Sequence, residues 1–359
     1  MQKLIDELYR FDRRPVYAIY GVPSDFGFAC MDKVSIAVDL GFQSRQAGII
    51  TAVAEHPFAS VKEVEDFPWH VSLDGAQAQA ELEMLRGWLA NNIVHQGGGC
   101  FGPLTVAACI VGVEECVRMV HKRPEVLHAV LRRVTDFMLL LAREEQRLGA
   151  DSFWIAEPVA SLLSPRSCRV FCTPYLKEIF DALDIPGVLH VCGNTDPHLG
   201  ALLETGAQAL SIDWCTDLVR YLEAAPDDVV IMGNISPMLL WQGTQDEVRA
   251  QTEALMRQTR DYKNFVLATG CQVPSAAPRE NVELMLDIGR SFPVWSNDQY
   301  RLIHQLANLY CQSGSTAFDV LCTQKDVPAE LRCAAENMAR RRLESGVGKR
   351  ADAKASLSN

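Results

Sequence analysis

The chain has 359 residues, of which 48% are hydrophobic, and its mean hydropathy is zero. This composition is typical of a globular protein with a sizeable core. Acidic residues outnumber basic ones by 45 to 34, which gives a formal net charge of −11. We therefore expect neither a nucleic-acid nor a membrane partner, because both are bound by clustered Lys and Arg.

Twelve cysteines are scattered along the chain, and no two of them form a CxxC pair. The absence of CxxC argues against a structural zinc knuckle. The first residues are charged and amphipathic, and no apolar run approaches the length of a membrane span, so we expect no signal peptide and no transmembrane helix. The predicted compartment is the reducing cytoplasm, where thiols stay free, buried or metal-bound.

Short segments rich in Val, Ile and Leu recur along the chain, each followed by a longer helical pattern. Several are continuously apolar, as parallel strands covered on both faces are. Eight strands alternating with helices predict a single (β/α)8 barrel, the TIM-barrel fold. The predicted strands cover residues 15–20, 48–53, 92–95, 153–157, 187–192, 208–213, 228–233 and 264–269.

After Ser291 the alternation of strands and helices stops, and two further helical patterns follow over 300–310 and 328–343. The last residues are small and polar, a composition typical of disorder. The chain contains no internal repeat and no low-complexity linker, which favours one main domain. We predict a barrel over 1–290, a helical extension over 291–345 that packs on the barrel or on a partner, and a disordered tail over 346–359.

Histidine and cysteine residues lie at the ends of two predicted strands, where barrel enzymes carry their chemistry. His190 and Cys192 are two residues apart at the end of the fifth strand, so their side chains point the same way. Cys271 follows the eighth strand closely. One imidazole and two thiolates can form a zinc site whose fourth position is open, the catalytic arrangement. Cysteine also packs as a small buried hydrophobe, and these residues alone leave both interpretations open.

Four other polar residues lie at the ends of three further predicted strands. Glu157 ends the fourth strand, Ser211 and Asp213 share one side of the sixth, and Asn234 opens the loop after the seventh. Acids and amides at such positions bind polar substrates and transfer protons. We predict substrate binding by all four residues and a catalytic role for Glu157, Asp213 and Asn234. Helix capping and loop hydrogen bonding are the competing interpretation.

A glycine-rich segment over residues 97–102 matches the GxGxxG pattern of dinucleotide-binding proteins. That fingerprint also requires an acidic residue at the end of a second strand about twenty residues later. The corresponding region, 114–122, has a helical pattern instead. We therefore interpret the segment as a tight transition from strand to loop and predict no nicotinamide site.

Several motifs resemble, in order, those of the uroporphyrinogen decarboxylase superfamily between residues 97 and 290. They include Gly102-Pro103-Leu104-Thr105, Ala156-Glu157-Pro158-Val159-Ala160, His190-Val191-Cys192-Gly193, Gly233-Asn234-Ile235-Ser236-Pro237 and Gly270-Cys271. The His-x-Cys and Gly-Cys motifs look like those of the corrinoid branch, which contains the methylcobalamin:coenzyme M methyltransferases. The resemblance implies zinc on His190, Cys192 and Cys271, with an acceptor thiol bound to it as a thiolate.

The resemblance further implies a methyltransferase that moves a methyl group between a methylated corrinoid, such as methylcobalamin, and a small acceptor. The corrinoid is expected on a separate corrinoid protein. Two acceptors stay open: a thiol such as coenzyme M, which zinc would activate, and tetrahydrofolate. The pterin ring would instead need acids and amides such as Asp213, Asn234 and Glu157 to handle a proton.

Two alternative functions remain. A uroporphyrinogen decarboxylase-like enzyme would act on a tetrapyrrole, but residues 15–23 lack arginine, whereas the decarboxylases carry an arginine-rich segment near the N-terminus that binds the propionates. A non-catalytic module would use the barrel mouth and the C-terminal helices to dock a corrinoid protein.

Overall fold

The computed structural model describes residues 16–17, 31–47, 50–90 and 97–345. These residues divide between two compact units. Unit 1 comprises Met1–Ala18, Asp217–Thr269 and Ala276–Asn359, and unit 2 comprises Ile19–Thr216 and Gly270–Ser275. No helix in the described part of the chain has the length and apolar character needed to cross a membrane.

The strands are β1 (Val16–Tyr17), β2 (Ser44–Ala47), β3 (Ile50–Val53), β4 (Gly97–Phe101), β5 (Ser152–Ala156), β6 (Gly187–Val191), β7 (Ala209–Ile212), β8 (Val230–Ile235) and β9 (Phe265–Thr269). The helices are α1 (Lys33–Asp39), α2 (Val61–Asp66), α3 (Ala76–Ala90), α4 (Pro103–Val111), α5 (Val113–Lys122), α6 (Pro124–Leu148), α7 (Pro165–Phe171), α8 (Thr173–Asp181), α9 (Leu199–Leu203), α10 (Leu218–Ala224), α11 (Pro237–Gln242), α12 (Gln245–Thr259), α13 (Arg279–Ser291), α14 (Asn297–Gln324) and α15 (Ala329–Ser345). Two short 3-10 helices cover Pro158–Leu162 and Asp196–His198.

The main sheet of unit 2 contains β4, β5, β6 and β7 side by side, all parallel. Met31 pairs in parallel with Cys100 of β4 and so occupies the next strand position. Helices follow each of these strands in the chain, and β6 and β7 are buried along their whole length. Burial on both faces explains why these segments are continuously apolar in the sequence.

In unit 1, β9 lies between β8 and β1, and both pairs are parallel. Ile231 pairs with Phe265, and Val16 pairs with Leu267. The described residues thus contain seven parallel strands, and helices α4–α13 alternate with β4–β9 along the chain. This is the pattern of an α/β barrel, and the predicted TIM-barrel class is confirmed.

One predicted barrel strand does not belong to the parallel sheet. The segment 48–53 was wrongly assigned to the parallel set, because β3 pairs antiparallel with β2. Only two residues separate these strands, and so short a connection permits antiparallel pairing alone. The predicted strand 92–95 lies outside the described residues. The glycine segment after it, interpreted from the sequence as a transition from strand to loop, is itself the strand β4 and pairs with β5. Glycine suits position 98 because a Cβ there would overlap the Glu145 side chain of α6.

Both helices predicted after Ser291 are present and extend further than predicted, as α14 and α15. Within unit 1, Arg341 of α15 donates a hydrogen bond to the Tyr262 hydroxyl over 3.1 Å, and that hydroxyl donates to the buried Glu223 of α10. These hydrogen bonds, which run through the buried side chains of Tyr262 and Glu223, therefore link α15 to α10. The predicted domain boundaries stay a prediction, and the tail 346–359 lies outside the described residues.

Two buried carboxyl groups, Glu81 on α3 and Glu145 on α6, lie within unit 2. Burial raises the pKa of Glu81 to about 7, and the negative charge of Asp32 contributes. Burial also raises the pKa of Glu145, with the Glu81 charge as the next cause. Because the folded chain holds these protons more tightly than the unfolded chain, stability is lost as the pH rises from about 4.5 through 7.

Replacing Glu81 by Gln should therefore flatten the dependence of stability on pH. The Glu81 carboxyl alone accounts for up to about 1.4 kcal/mol of unfolding free energy per pH unit across this range. Denaturant unfolding between about pH 5 and pH 8 measures the effect. Glu83→Gln, on the exposed face of the same helix, should keep the wild-type slope. If the free energy of unfolding of Glu81→Gln changed with pH as steeply as that of the wild type, the raised pKa of Glu81 would be contradicted.

Candidate metal centre

His190, Cys192 and Cys271 meet within unit 2. His190 belongs to β6, Cys192 directly follows that strand, and Cys271 lies in the segment Gly270–Ser275. One ligand atom from each residue lies within 4.8 Å of the other two. Within the described part of the chain, no other set of three or more His, Cys, Asp or Glu side chains is close enough to hold a metal ion.

Two distances between the three ligand atoms match those around a tetrahedral zinc ion, and the third is within 4.8 Å. Cys192 Sγ lies 3.7 Å from Cys271 Sγ and 3.3 Å from His190 Nε2. Zinc binds sulfur at about 2.3 Å and imidazole nitrogen at about 2.0 Å, so tetrahedral angles separate two sulfurs by about 3.8 Å and sulfur from nitrogen by about 3.5 Å. The donor set therefore fits zinc, and three ligands leave one coordination position for a further ligand.

Ser211 orients the imidazole of His190. The two residues pair across β6 and β7, and His190 Nδ1 lies 3.1 Å from both the carbonyl oxygen and the hydroxyl oxygen of Ser211. The carbonyl can only accept, so Nδ1 carries the proton and the Nε2 lone pair faces the sulfurs. Ser211 is buried behind the histidine. Its predicted substrate-binding role stays a prediction, whereas this orienting contact was missed from the sequence.

Cys192 and Cys271 are both half-buried, and their thiol pKa values are shifted in opposite directions. A hydrogen bond from Cys192 lowers the pKa of Cys271, with His190 contributing, and the same bond raises the pKa of Cys192. Negative charge on Asp213 raises the pKa of Cys192 further. One of the two sulfurs is therefore a thiolate near neutral pH, and a thiolate is the form that binds a metal.

Asp213, predicted for substrate binding and catalysis, lies against the loop that carries Cys192. Its Oδ2 accepts a hydrogen bond from the Gly193 backbone over 2.7 Å. Thr216 closes the turn after β7 by donating its backbone N–H to the Asp213 carbonyl oxygen, and its hydroxyl donates to the Gly193 carbonyl oxygen. The structure thus brings Asp213 beside the candidate metal ligands, and its chemical role stays a prediction.

Glu157, predicted to bind substrate and to act in catalysis, is fully buried. Its oxygens accept hydrogen bonds from the backbone of Leu104 and Thr105 at the start of α4, and from the Thr105 hydroxyl. Burial raises the pKa of Glu157 to about 7, and these hydrogen bonds oppose the shift. The competing interpretation of helix capping therefore describes its contacts, and its predicted roles in substrate binding and catalysis stay predictions.

Asn234, predicted for substrate binding and catalysis, is half-buried near the end of β8 and pairs with Ala268 of β9. It belongs to unit 1, whereas the three ligands belong to unit 2. Its role stays a prediction.

Gly270 shows why glycine precedes Cys271. A Cβ at this position would lie 2.8 Å from Trp214 Cα and closer still to the Trp214 backbone nitrogen. The segment that carries Cys271 therefore passes the loop after β7 at a distance that only glycine permits. The sequence analysis treated this glycine as part of a motif and did not identify the contact that requires it.

Residues 22–292 match the protein-family model described as Uroporphyrinogen decarboxylase (URO-D). Methylcobamide:CoM methyltransferase MtbA of Methanosarcina mazei is 30% identical over 201 residues, which are 54% of this chain and 58% of that protein. A uroporphyrinogen decarboxylase of Synechococcus sp. (strain CC9605) is 28% identical over 178 residues, 48% of this chain and 50% of that protein. In both cases the matched region spans only about half the length of the relative.

A solved structure of a methyltransferase from Methanosarcina mazei has 26% sequence identity and a TM-score of 0.63. The match covers 72% of this chain and 77% of that chain. These comparisons confirm the resemblance that the motifs indicated.

Substituting Gly270 tests the metal-centre geometry. Gly270→Ala should displace Cys271, because the added Cβ would overlap the Trp214 backbone. We expect affinity for Zn²⁺ or Co²⁺ to fall by roughly tenfold or more, as expected when a ligand is misplaced. Metal titration followed by cobalt–thiolate absorption measures it. Gly87→Ala, where a Cβ would meet nothing within 4 Å, is the control. If Gly270→Ala bound the metal as tightly as the wild type, the close approach of Gly270 to the Trp214 backbone would be refuted.

Proposed function

We propose a methyl-transfer function for this chain from the premise that it belongs to the uroporphyrinogen decarboxylase (URO-D) family. The chain would move a methyl group between a methylated corrinoid and a small acceptor. One observation carries the proposal: His190, Cys192 and Cys271 converge with distances that fit zinc. The similarity to a methylcobamide:CoM methyltransferase supports the same function.

Zinc is the metal that this donor set fits, and His190, Cys192 and Cys271 would hold it. When bound, it would supply a Lewis acid that lowers the pKa of a thiol in the open position. Ser211 would keep His190 Nε2 turned towards the ligand position. The bond from Gly193 to Asp213 would hold Cys192 in place.

The proposed reaction is a displacement at the methyl carbon. The acceptor sulfur attacks this carbon, a sulfur–carbon bond forms, and the cobalt–carbon bond breaks. Its electron pair remains on cobalt, so methylcobalamin becomes cob(I)alamin and the thiol proton is released. The residues of the chain would contribute by positioning the acceptor sulfur and favouring its thiolate form.

We favour a thiol acceptor such as coenzyme M over tetrahydrofolate. The acids that a pterin would need have their oxygens engaged elsewhere: both oxygens of Glu157 bind the start of α4, and Asp213 accepts from Gly193. A thiol needs only the metal position that the three ligands leave open. Tetrahydrofolate is the second candidate acceptor.

The partner that we propose is a corrinoid protein that delivers the methylated corrinoid, and the proposed compartment is the cytoplasm. The alternative is a uroporphyrinogen decarboxylase-like activity, which the Synechococcus relative supports. Such an activity would consume a tetrapyrrole without any acceptor thiol. A docking module would bind the corrinoid protein without turnover.

The visible spectrum of free methylcobalamin, followed with the zinc-loaded protein, tests the proposal. Offered a thiol or tetrahydrofolate in parallel, the wild type should produce cob(I)alamin with the thiol. Cys271→Ala should lose this activity by at least roughly a hundredfold, the usual range for an essential activating group. Cys333→Ala, an exposed thiol on α15, should retain it.

If cob(I)alamin formed only with tetrahydrofolate, methyl transfer would still hold, and tetrahydrofolate would take the place of the thiol as the acceptor. No conversion with either acceptor, combined with turnover of a uroporphyrinogen, would contradict the proposal and favour the decarboxylase alternative.

A further inference from the structure

The backbone pairing of β6 with β7 ends just before the first candidate cysteine ligand. Its last pair is Val191 with Ile212, and Cys192 follows directly. The next residue, Gly193, has a φ of +86°, a left-handed conformation that glycine adopts readily. Backbone N–H and C=O groups that leave a sheet in this way need other partners. The position of Cys192 therefore depends on what binds the backbone of the turn that follows it.

Side chains from the loop after β7 bind the backbone of this turn. Asp213 accepts a hydrogen bond from the Gly193 N–H, and the Thr216 hydroxyl donates to the Gly193 carbonyl oxygen over 3.2 Å. The same hydroxyl oxygen accepts from the Thr195 backbone N–H over 3.2 Å and lies 3.3 Å from the Thr195 hydroxyl oxygen. These side-chain hydrogen bonds continue the connection between the two strands beyond their last backbone pair.

The partners of the Thr216 hydroxyl determine which of them donates and which accepts. A hydroxyl has one proton to donate and two lone pairs. The Gly193 carbonyl can only accept, so it takes the Thr216 proton, and the Thr195 hydroxyl must be the donor to Thr216. Thr216 is 5% exposed and Thr195 is fully buried, so these hydrogen bonds form away from water, where their loss costs most.

We infer that Thr216 is a positioning residue for the candidate metal centre, and this rests on the proposed function, which requires that centre. By holding the turn over 193–195, the hydroxyl fixes the backbone from which the Cys192 side chain reaches the metal. Cys192 Sγ lies 3.7 Å from Cys271 Sγ and 3.3 Å from His190 Nε2, and metal binding depends on both distances. Valine has nearly the shape of threonine but makes none of these hydrogen bonds, so it would release the turn without leaving a cavity.

Titration of the full chain with Co²⁺, followed by cobalt–thiolate absorption, tests the positioning role separately from turnover. Thr216→Val should raise the Kd for Co²⁺ roughly 10- to 100-fold, the range for residues that orient metal ligands, and should shift the cobalt–thiolate bands. Thr216→Ser keeps the hydroxyl and should restore both to wild-type values. Thr135→Val is the matched control, because Thr135 is a buried threonine of unit 2 whose hydroxyl donates to the Leu131 carbonyl oxygen on its own helix.

If Thr216→Val bound Co²⁺ with the affinity and spectrum of the wild type, the positioning role would be overturned. Hydrogen exchange of the metal-free wild type is a second test that needs no variant. The backbone N–H groups of Gly193 and Thr195 should exchange slowly, and exchange at the rate of an unstructured peptide would also overturn the role. Failure of the proposed function gives a different result: Thr216→Val would still bind Co²⁺ more weakly than the wild type, but the zinc-loaded wild type would leave methylcobalamin unchanged with either acceptor.

Discussion

The convergence of one imidazole nitrogen and two sulfurs on a single point is the constraint on which the rest of the site depends. It requires β6 to end with His190 and Cys192 on the same side, and it requires Cys271 to approach from a separate segment. A hydrogen bond to Ser211 fixes the imidazole, and a glycine allows the second approach. Both requirements are met by hydrogen bonds and close backbone packing within the chain, so the three side chains are already brought together before any metal binds.

The loop after β7 connects this constraint to the surface around it. Asp213 holds the residue after Cys192, and Trp214 packs against the residue before Cys271. One short turn thus contacts both segments that supply cysteine ligands. A shift in the backbone of this turn would therefore reach both segments at once, and zinc affinity would fall with it.

The sequence was sufficient for the barrel class, because buried parallel strands leave continuous apolar runs. His-x-Cys spacing indicated that His190 and Cys192 share one side, and the structure brings Cys271 to them, while metal binding by the three stays a prediction. The sequence was insufficient where distant segments meet. The antiparallel pairing of β2 and β3, the register that places Ser211 behind His190, and the burial of Glu157 against α4 all depend on tertiary contacts. No local pattern at residue 157 distinguishes a capping carboxylate from an exposed acid, since both follow a strand.

Zinc K-edge X-ray absorption of the purified protein, with and without a thiol acceptor, tests the central claim most directly. The account predicts two sulfur ligands at about 2.3 Å with an imidazole nitrogen, and a third sulfur once the thiol is added. An open position that accepts the thiol is what separates a catalytic centre from a closed structural one. A metal without sulfur ligands, or a sulfur count that the thiol leaves unchanged, would contradict it.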